Sequence, residues 1–214
     1  MVNFKIDIVS DTVCPWCYIG HKRLQSAISQ FQASNPSANH TFMVEWHPYY
    51  LNPNAPNPSV DKTTYYKTRF GEAQSAMMFD RMHRIGAETG IKFSFGGKTG
   101  NTRDSHRIIQ LGKEKGKQTE VVEKLFAAYF ENEQDITDHE VLVKAATDAG
   151  LEESEAREWL NSDKGGHVVD REVEEARRKG ISGVPNFTIN KSHVLGGAQD
   201  PSEFIDVFEF FATN

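Results

Sequence analysis

Apolar and polar residues alternate at the start of the chain: Phe4, Ile6 and Ile8 are separated by Lys5 and Asp7, and Val9 follows. A period of two predicts a strand. The spacing then lengthens. In SDTVCPWCYIGHKRLQSAISQFQ, Tyr18, Leu24, Ala27, Ile28 and Phe31 recur at helical intervals. Pro15 fits the start of that helix, where a missing N–H costs nothing. The polar stretch ASNPSANH ends the helix, and TFMVEWHPYY alternates again through Phe42, Val44 and Trp46. The opening therefore reads as β-α-β.

LNPNAPNPS follows, with three prolines and three asparagines in nine residues, and reads as a boundary loop. From about Asp61 to Asp163 the patterns are helical. EAQSAMMFDRMHRIGAETG carries Met78, Met82 and Ile85 on one stripe, and NTRDSHRIIQLGKEKG opens with the capping residues Asn101 and Thr102. KQTEVVEKLFAAYFENEQD has Val121, Val122, Leu125, Phe126 and Tyr129 facing one way, and two shorter helices cover roughly Asp138–Ala149 and Glu152–Asn161. In the last fifty residues HVVDREVEEARRKG is a charged amphipathic helix stopped by Gly180. NFTIN and HVLGG form a hairpin, and DPSEFIDVFEFF opens with Asp200 as a cap and Pro201 at the first helical position. The order is that of an α/β thioredoxin fold with an α-helical insertion after its second strand. Residues 1–58 and 165–214 form the thioredoxin parts and 59–164 the insertion.

Bulk properties narrow the function. Hydrophobic residues make up 38% and charged residues 25%, as in a soluble globular domain. The net charge of −6 is mixed along the chain, which argues against nucleic acid and against anionic membranes. No apolar run approaches the roughly 18 residues of a membrane helix. MVNFKIDIVSD lacks the layout of a secretory signal, so the expected location is the cytoplasm.

The most informative count is that of cysteine, with two residues, Cys14 and Cys17, in one C-x-x-C. A bridge closing so short a loop is a poor staple, and in a reducing compartment such a pair points to catalysis or metal. The thiolate is the nucleophile, and Cys14 at a helix N-terminus is placed where unpaired N–H groups favour an anion. Cys17, one turn further in, is less accessible. Cys14 thus attacks and Cys17 resolves, with Pro15 and Trp16 shaping the approach of the substrate. His21 adds a third donor for a metal, but structural zinc takes four, and no metal is expected. Tyr18 stands where haem attachment requires histidine. A second feature is GISGVPNFTIN, where Pro185 at the entry to a strand marks an edge position. Local sequence alone makes Val184–Pro185 a trans turn.

Taken together, SDTVCPWCYIG, EWHPYYLNPNAP, NTRDSHRI, LFAAYFENEQDI, GISGVPNFTIN and GGAQDPSEF resemble, in order and over nearly the whole chain, the DsbA-like thioredoxin superfamily, in particular its FrnE-type branch. The resemblance implies a dithiol–disulfide oxidoreductase or isomerase with Cys14 as nucleophile, Cys17 resolving, and Pro185 as a cis-proline facing them. It also implies that the backbone of Val184 pairs with an extended substrate segment. The expected partners are thiol- or disulfide-containing proteins or small molecules. No bound cofactor is expected, with glutathione as a candidate electron donor or co-substrate. The sequence leaves the oligomeric state open. The alternative is a glutathione-using transferase or isomerase of the kappa-class type, in secondary metabolism such as that of polyketides. Those enzymes are similar in architecture but carry serine at the position of Cys14 and lack the resolving cysteine.

Further residues have two readings each. Asn101, His106 and Arg107 are candidates for a polar rim over the disulfide, with Asn101 more simply a helix cap and His106 a packing residue. Glu45 is either a buried acid passing a proton to Cys17 or an exposed strand glutamate. His47 reads as a strand-end residue without a role. Met77, Met78 and Met82 read as core rather than as a substrate groove.

Overall fold

The computed structural model describes residues 1–36 and 38–213; Ser37, within the ASNPSANH stretch, and Asn214 lie outside that set. Its centre is a sheet. β1 (Asn3–Ser10) runs parallel to β2 (Thr41–Pro48) and antiparallel to β5 (Asn186–Ile189), which pairs with β6 (His193–Gly196), giving the order β2-β1-β5-β6. The parallel β1–β2 pair needs a crossover, which α1 (Pro15–Ser34) supplies.

The alternation in β1 decides which layer covers each face. Phe4, Ile6 and Ile8 are buried on one face against α1 and α9 (Pro201–Thr213). Phe4 meets Phe31 edge-on at 5.7 Å between ring centres, stacks on Phe42 at 4.8 Å and tilts against Phe208 at 5.0 Å. Offset and edge geometries of this kind suit the ring quadrupole and add to the burial term. The opposite face carries Lys5, Asp7 and Val9. It is covered by α8 (Gly166–Arg178), whose Ala176 packs with Val9 and Tyr49.

Between β2 and α8 lie α2 (Lys62–Phe70), α3 (Glu72–Thr89), α4 (Arg103–Glu114), α5 (Gln118–Phe130), α6 (His139–Asp148) and α7 (Glu153–Leu160). This is the helical insertion that the spacing predicts, with one correction. The stretch is not helical throughout, because two-residue strands β3 (Val60–Asp61) and β4 (Lys98–Thr99) pair antiparallel and close the α2–α3 hairpin onto the domain. Elements this short carry no readable period. The buried Lys62 follows, donating from Nζ to the carbonyl of Tyr129 at 2.9 Å and lying 3.7 Å over that ring. Burial lowers its pKa to about 8.

The insertion is tied to the thioredoxin part by named bonds. Gln118 accepts the Trp46 N–H at 3.0 Å and returns a bond to the Trp46 carbonyl at 2.8 Å. Tyr18 stacks on Phe126 at 5.0 Å and donates its hydroxyl to Glu131 at 2.5 Å. At the C-terminal helix, Asp200 directs its carboxylate to Arg23 of α1 at 3.0 Å, while its carbonyl accepts the Glu203 N–H.

Candidate active site

Cys14 is the N-cap of α1, in extended conformation, and Pro15 occupies the first helical turn. The Cys14 N–H donates to Asp11 at 3.0 Å and the Cys17 N–H to Cys14 at 3.0 Å, which folds the loop tightly over the helix end. Both cysteines are free thiols. Cys17 is the deeper, at 1% exposure against 4% for Cys14. Burial pushes the Cys17 thiol well up, the neighbouring Cys14 adds to this, and the Ser10 hydroxyl and Asp11 backbone offset it only in part.

The β5 end meets this loop. The Val184–Pro185 peptide is cis, and the Cys14 thiol donates to the Val184 carbonyl at 3.6 Å. Gly20 lets the two segments approach: a Cβ there would lie 3.0 Å from Phe187 and 3.1 Å from Pro185. A groove of about 650 Å³, lined by Gly183, Val184, Pro185 and Gly196 among others, lies on the Val184 side of this contact. A second cis peptide, Asn57–Pro58, lies in the boundary loop.

The loop before Cys14 is held from the insertion side. Asp11, 1% exposed, accepts the Leu51 N–H at 2.9 Å and faces His106 Nε2 at 3.4 Å. Ser105 donates its hydroxyl to the Thr102 carbonyl at 2.7 Å, so in the 2.8 Å contact between Thr12 and Ser105 the donor is Thr12. Tyr66 of α2 lies within electrostatic reach of Cys14; burial foremost, then that cysteine, raises its hydroxyl pKa. Trp16, half-buried, carries the guanidinium of Arg81 from α3 4.8 Å above its ring.

The structure thus gathers Cys14, Pro15, Trp16, Cys17, Val184 and Pro185, and sorts the remaining candidates. His106 is not on a rim: it is 4% exposed and lies beneath the loop, bonded to Asp11 and to the Tyr49 carbonyl at 3.2 Å. Asn101 lies one residue before Thr102, the N-cap of α4, and accepts the Arg103 N–H at 2.9 Å. Arg107 is buried among the carbonyls of Trp159, Ser162 and Lys164. The proton-shuttle reading of Glu45 fails, because Lys113 at 2.8 Å holds its carboxyl below the usual range. His21 gives Nε2 to Glu123 at 2.8 Å and packs edge-on to Trp46. Met82 is buried, Met78 half-buried and Met77 60% exposed.

His47 is also corrected. It contacts Glu172 at 3.1 Å, Asp7 at 3.4 Å and Glu45 at 3.8 Å, joining β1, β2 and α8. Burial alone lowers its pKa, but Glu172, Asp7 and Glu45 together raise it. Asp7, Glu45 and His47 lie close enough to share a cation, yet Lys5 and Lys113 already occupy the carboxylates.

Residues 5–209 match the DSBA-like thioredoxin domain family. The chain belongs to that family. Among its relatives, the uncharacterised protein YwbO of Bacillus subtilis (strain 168) is 25% identical over 207 residues, covering 95% of this chain and 93% of its own. A probable DsbA oxidoreductase from Streptomyces coelicolor superposes with a TM-score of 0.85 at 26% identity, covering 95% of this chain and 88% of that one. The cytosolic disulfide reductase DsbM of Pseudomonas aeruginosa, solved with GSH, shares the fold with a TM-score of 0.63 at 15% identity, covering 98% of this chain and all 100% of its own. The DSBA-like family is one of thiol–disulfide oxidoreductases, and in this chain Cys14 and Cys17 lie near each other at the start of α1, with Cys14 opposite Val184.

Proposed function

We propose that this protein is a dithiol–disulfide oxidoreductase, acting as reductase or isomerase, in which Cys14 attacks and Cys17 resolves. The observation that carries the reading is the asymmetry of the pair. Cys14 caps the helix and donates to the carbonyl of Val184, a residue that lines the groove, while Cys17 is the more deeply buried, with its thiol pKa raised. The Cys14 thiolate attacks one sulfur of a substrate disulfide, forming a mixed disulfide and releasing one substrate thiolate, which takes up a proton. Cys17 then loses its proton and attacks Cys14. The mixed disulfide breaks, the second substrate thiol leaves, and the enzyme holds a Cys14–Cys17 disulfide; the substrate has gained the two electrons. The raised pKa keeps Cys17 protonated until that second step.

The Val184 backbone, at the entry to β5 and next to a proline with no N–H, supports the binding of a substrate segment by strand addition. Glutathione is the proposed electron donor that resets the pair, by analogy with DsbM, and the cytoplasm the proposed location. The kappa-type conjugation alternative is weaker because it has no use for a second thiol beneath the first. Incubating the reduced protein with oxidised glutathione and measuring intact mass tests the reading. Loss of two hydrogens in the wild type, but in neither Cys14→Ser nor Cys17→Ser, is expected. A wild type that stays dithiol, or is modified only by added metal, contradicts it.

A further inference from the structure

We propose that Arg81 and Arg69 form an anion-recognition rim beside the motif, selecting thiols and disulfides that carry a carboxylate next to the sulfur. This rests on the disulfide-exchange reading and specifies its substrate class. Both arginines come from the α2–α3 hairpin and flank the Cys14 loop. Arg81 lies 4.8 Å over the ring of Trp16, the residue just before Cys17. Arg69 lines a cavity of about 190 Å³ together with Val13, the residue just before Cys14, and with Tyr66 and Asp11.

Their bonding leaves the guanidinium groups available. Arg23, Arg103, Arg107 and Arg157 are each engaged with carboxylates. Among the described residues, Arg81 has no carboxylate within ion-pair distance, and Arg69 makes one hydrogen bond, from Nη1 to the Tyr65 hydroxyl at 2.7 Å. Both are exposed. The indole ring attracts the Arg81 guanidinium through its face but accepts no strong hydrogen bond, so the N–H fork that matches a carboxylate stays available. The ring contact also restricts the side chain in advance, so less freedom is lost on binding. The one carboxylate in the cavity, Asp11, is turned inward to Leu51 and His106 and does not meet either arginine.

The test uses pre-reduced protein in single turnover, with released thiol as the readout. One arm uses peptide disulfides identical except for Glu, Gln or Lys beside the cysteine; the other uses dithiodiglycolate and cystamine. The Glu peptide should react about fivefold faster than the Gln peptide, the ceiling for an exposed but pre-placed pair, and the Lys peptide slower. Arg81→Gln should bring the Glu-to-Gln ratio close to one, and Arg81→Glu should invert it towards Lys. Lys144→Gln, the same charge change on α6, should leave the ratio in place. The preference should fade at about 1 M salt. A preference in the peptide arm supports a polypeptide substrate, and one confined to the small disulfides supports a metabolite. Equal rates in both arms, or a preference that Arg81→Glu does not invert, overturns the proposal. No reaction with any probe overturns the exchange reading and this proposal with it.

Discussion

The sulfur of Cys14 lies 3.6 Å from the carbonyl oxygen of Val184, across 170 residues of chain. This contact brings the end of the first helix and the entry to β5 into one site. On the proposed mechanism the chemistry is at one end of it and the backbone that holds a substrate at the other.

The two thiols should therefore react in order. At neutral pH in the folded protein, iodoacetamide should label Cys14 first, with Cys17 labelled chiefly after unfolding, because Cys17 is deeper and its thiol is pushed up by burial. Peptide mapping by mass spectrometry reads the order. Equal labelling, or Cys17 first, would reverse the assignment of attacker and resolver.

The approach of α1 to the Pro185 loop depends on Gly20. Gly20→Val places a Cβ 3.0 Å from Phe187 and 3.1 Å from Pro185, and adds two methyl groups beyond it. The expected outcome is a loss of about 1–3 kcal/mol in urea unfolding, as for other overpacked cores, together with slower disulfide exchange as Val184 is pushed from Cys14. Wild-type stability and rate in this variant would show that the packing there is loose.

His47 gives a dependence on pH. Its pKa is raised in the folded protein above the ordinary 6.5, so its contribution is fully present below that value and is lost as pH rises through the raised one. Glu172 and Glu45, whose carboxyls are held low, act at the acid end instead: their contribution is present above the ordinary carboxylate range and lost as pH falls. Stability should thus fall as pH rises from 6.5 through the raised His47 pKa, and His47→Gln should flatten that slope. Urea midpoints at several pH values measure it; a slope equal in the two proteins would mean that folding leaves the His47 pKa unchanged.

Much of this was legible in the sequence because the relevant elements are long and strictly periodic. Phe4, Ile6 and Ile8, and the Tyr18 to Phe31 stripe, place the first strand and helix, and they put Cys14 at the junction. What was not legible depends on pairing at a distance. His47 looks idle in its own strand because Glu172, which engages it, lies 125 residues further on. His106 leaves both a rim and a packing reading open because polarity in a linear segment says nothing about depth, and the Asp11 that it meets lies 95 residues away in the chain. Arg81 carries no signal in the sequence; a lone arginine on a helix acquires meaning only from the Trp16 ring beneath it.

The central claim is that Cys14 forms a covalent link to substrate which Cys17 releases, and trapping tests it most directly. Cys17→Ser, incubated with cell extract and resolved by non-reducing electrophoresis and mass spectrometry, should accumulate adducts on Cys14 that dithiothreitol removes. Cys14→Ser should accumulate none. Adducts in Cys14→Ser, or none in Cys17→Ser, would contradict the account.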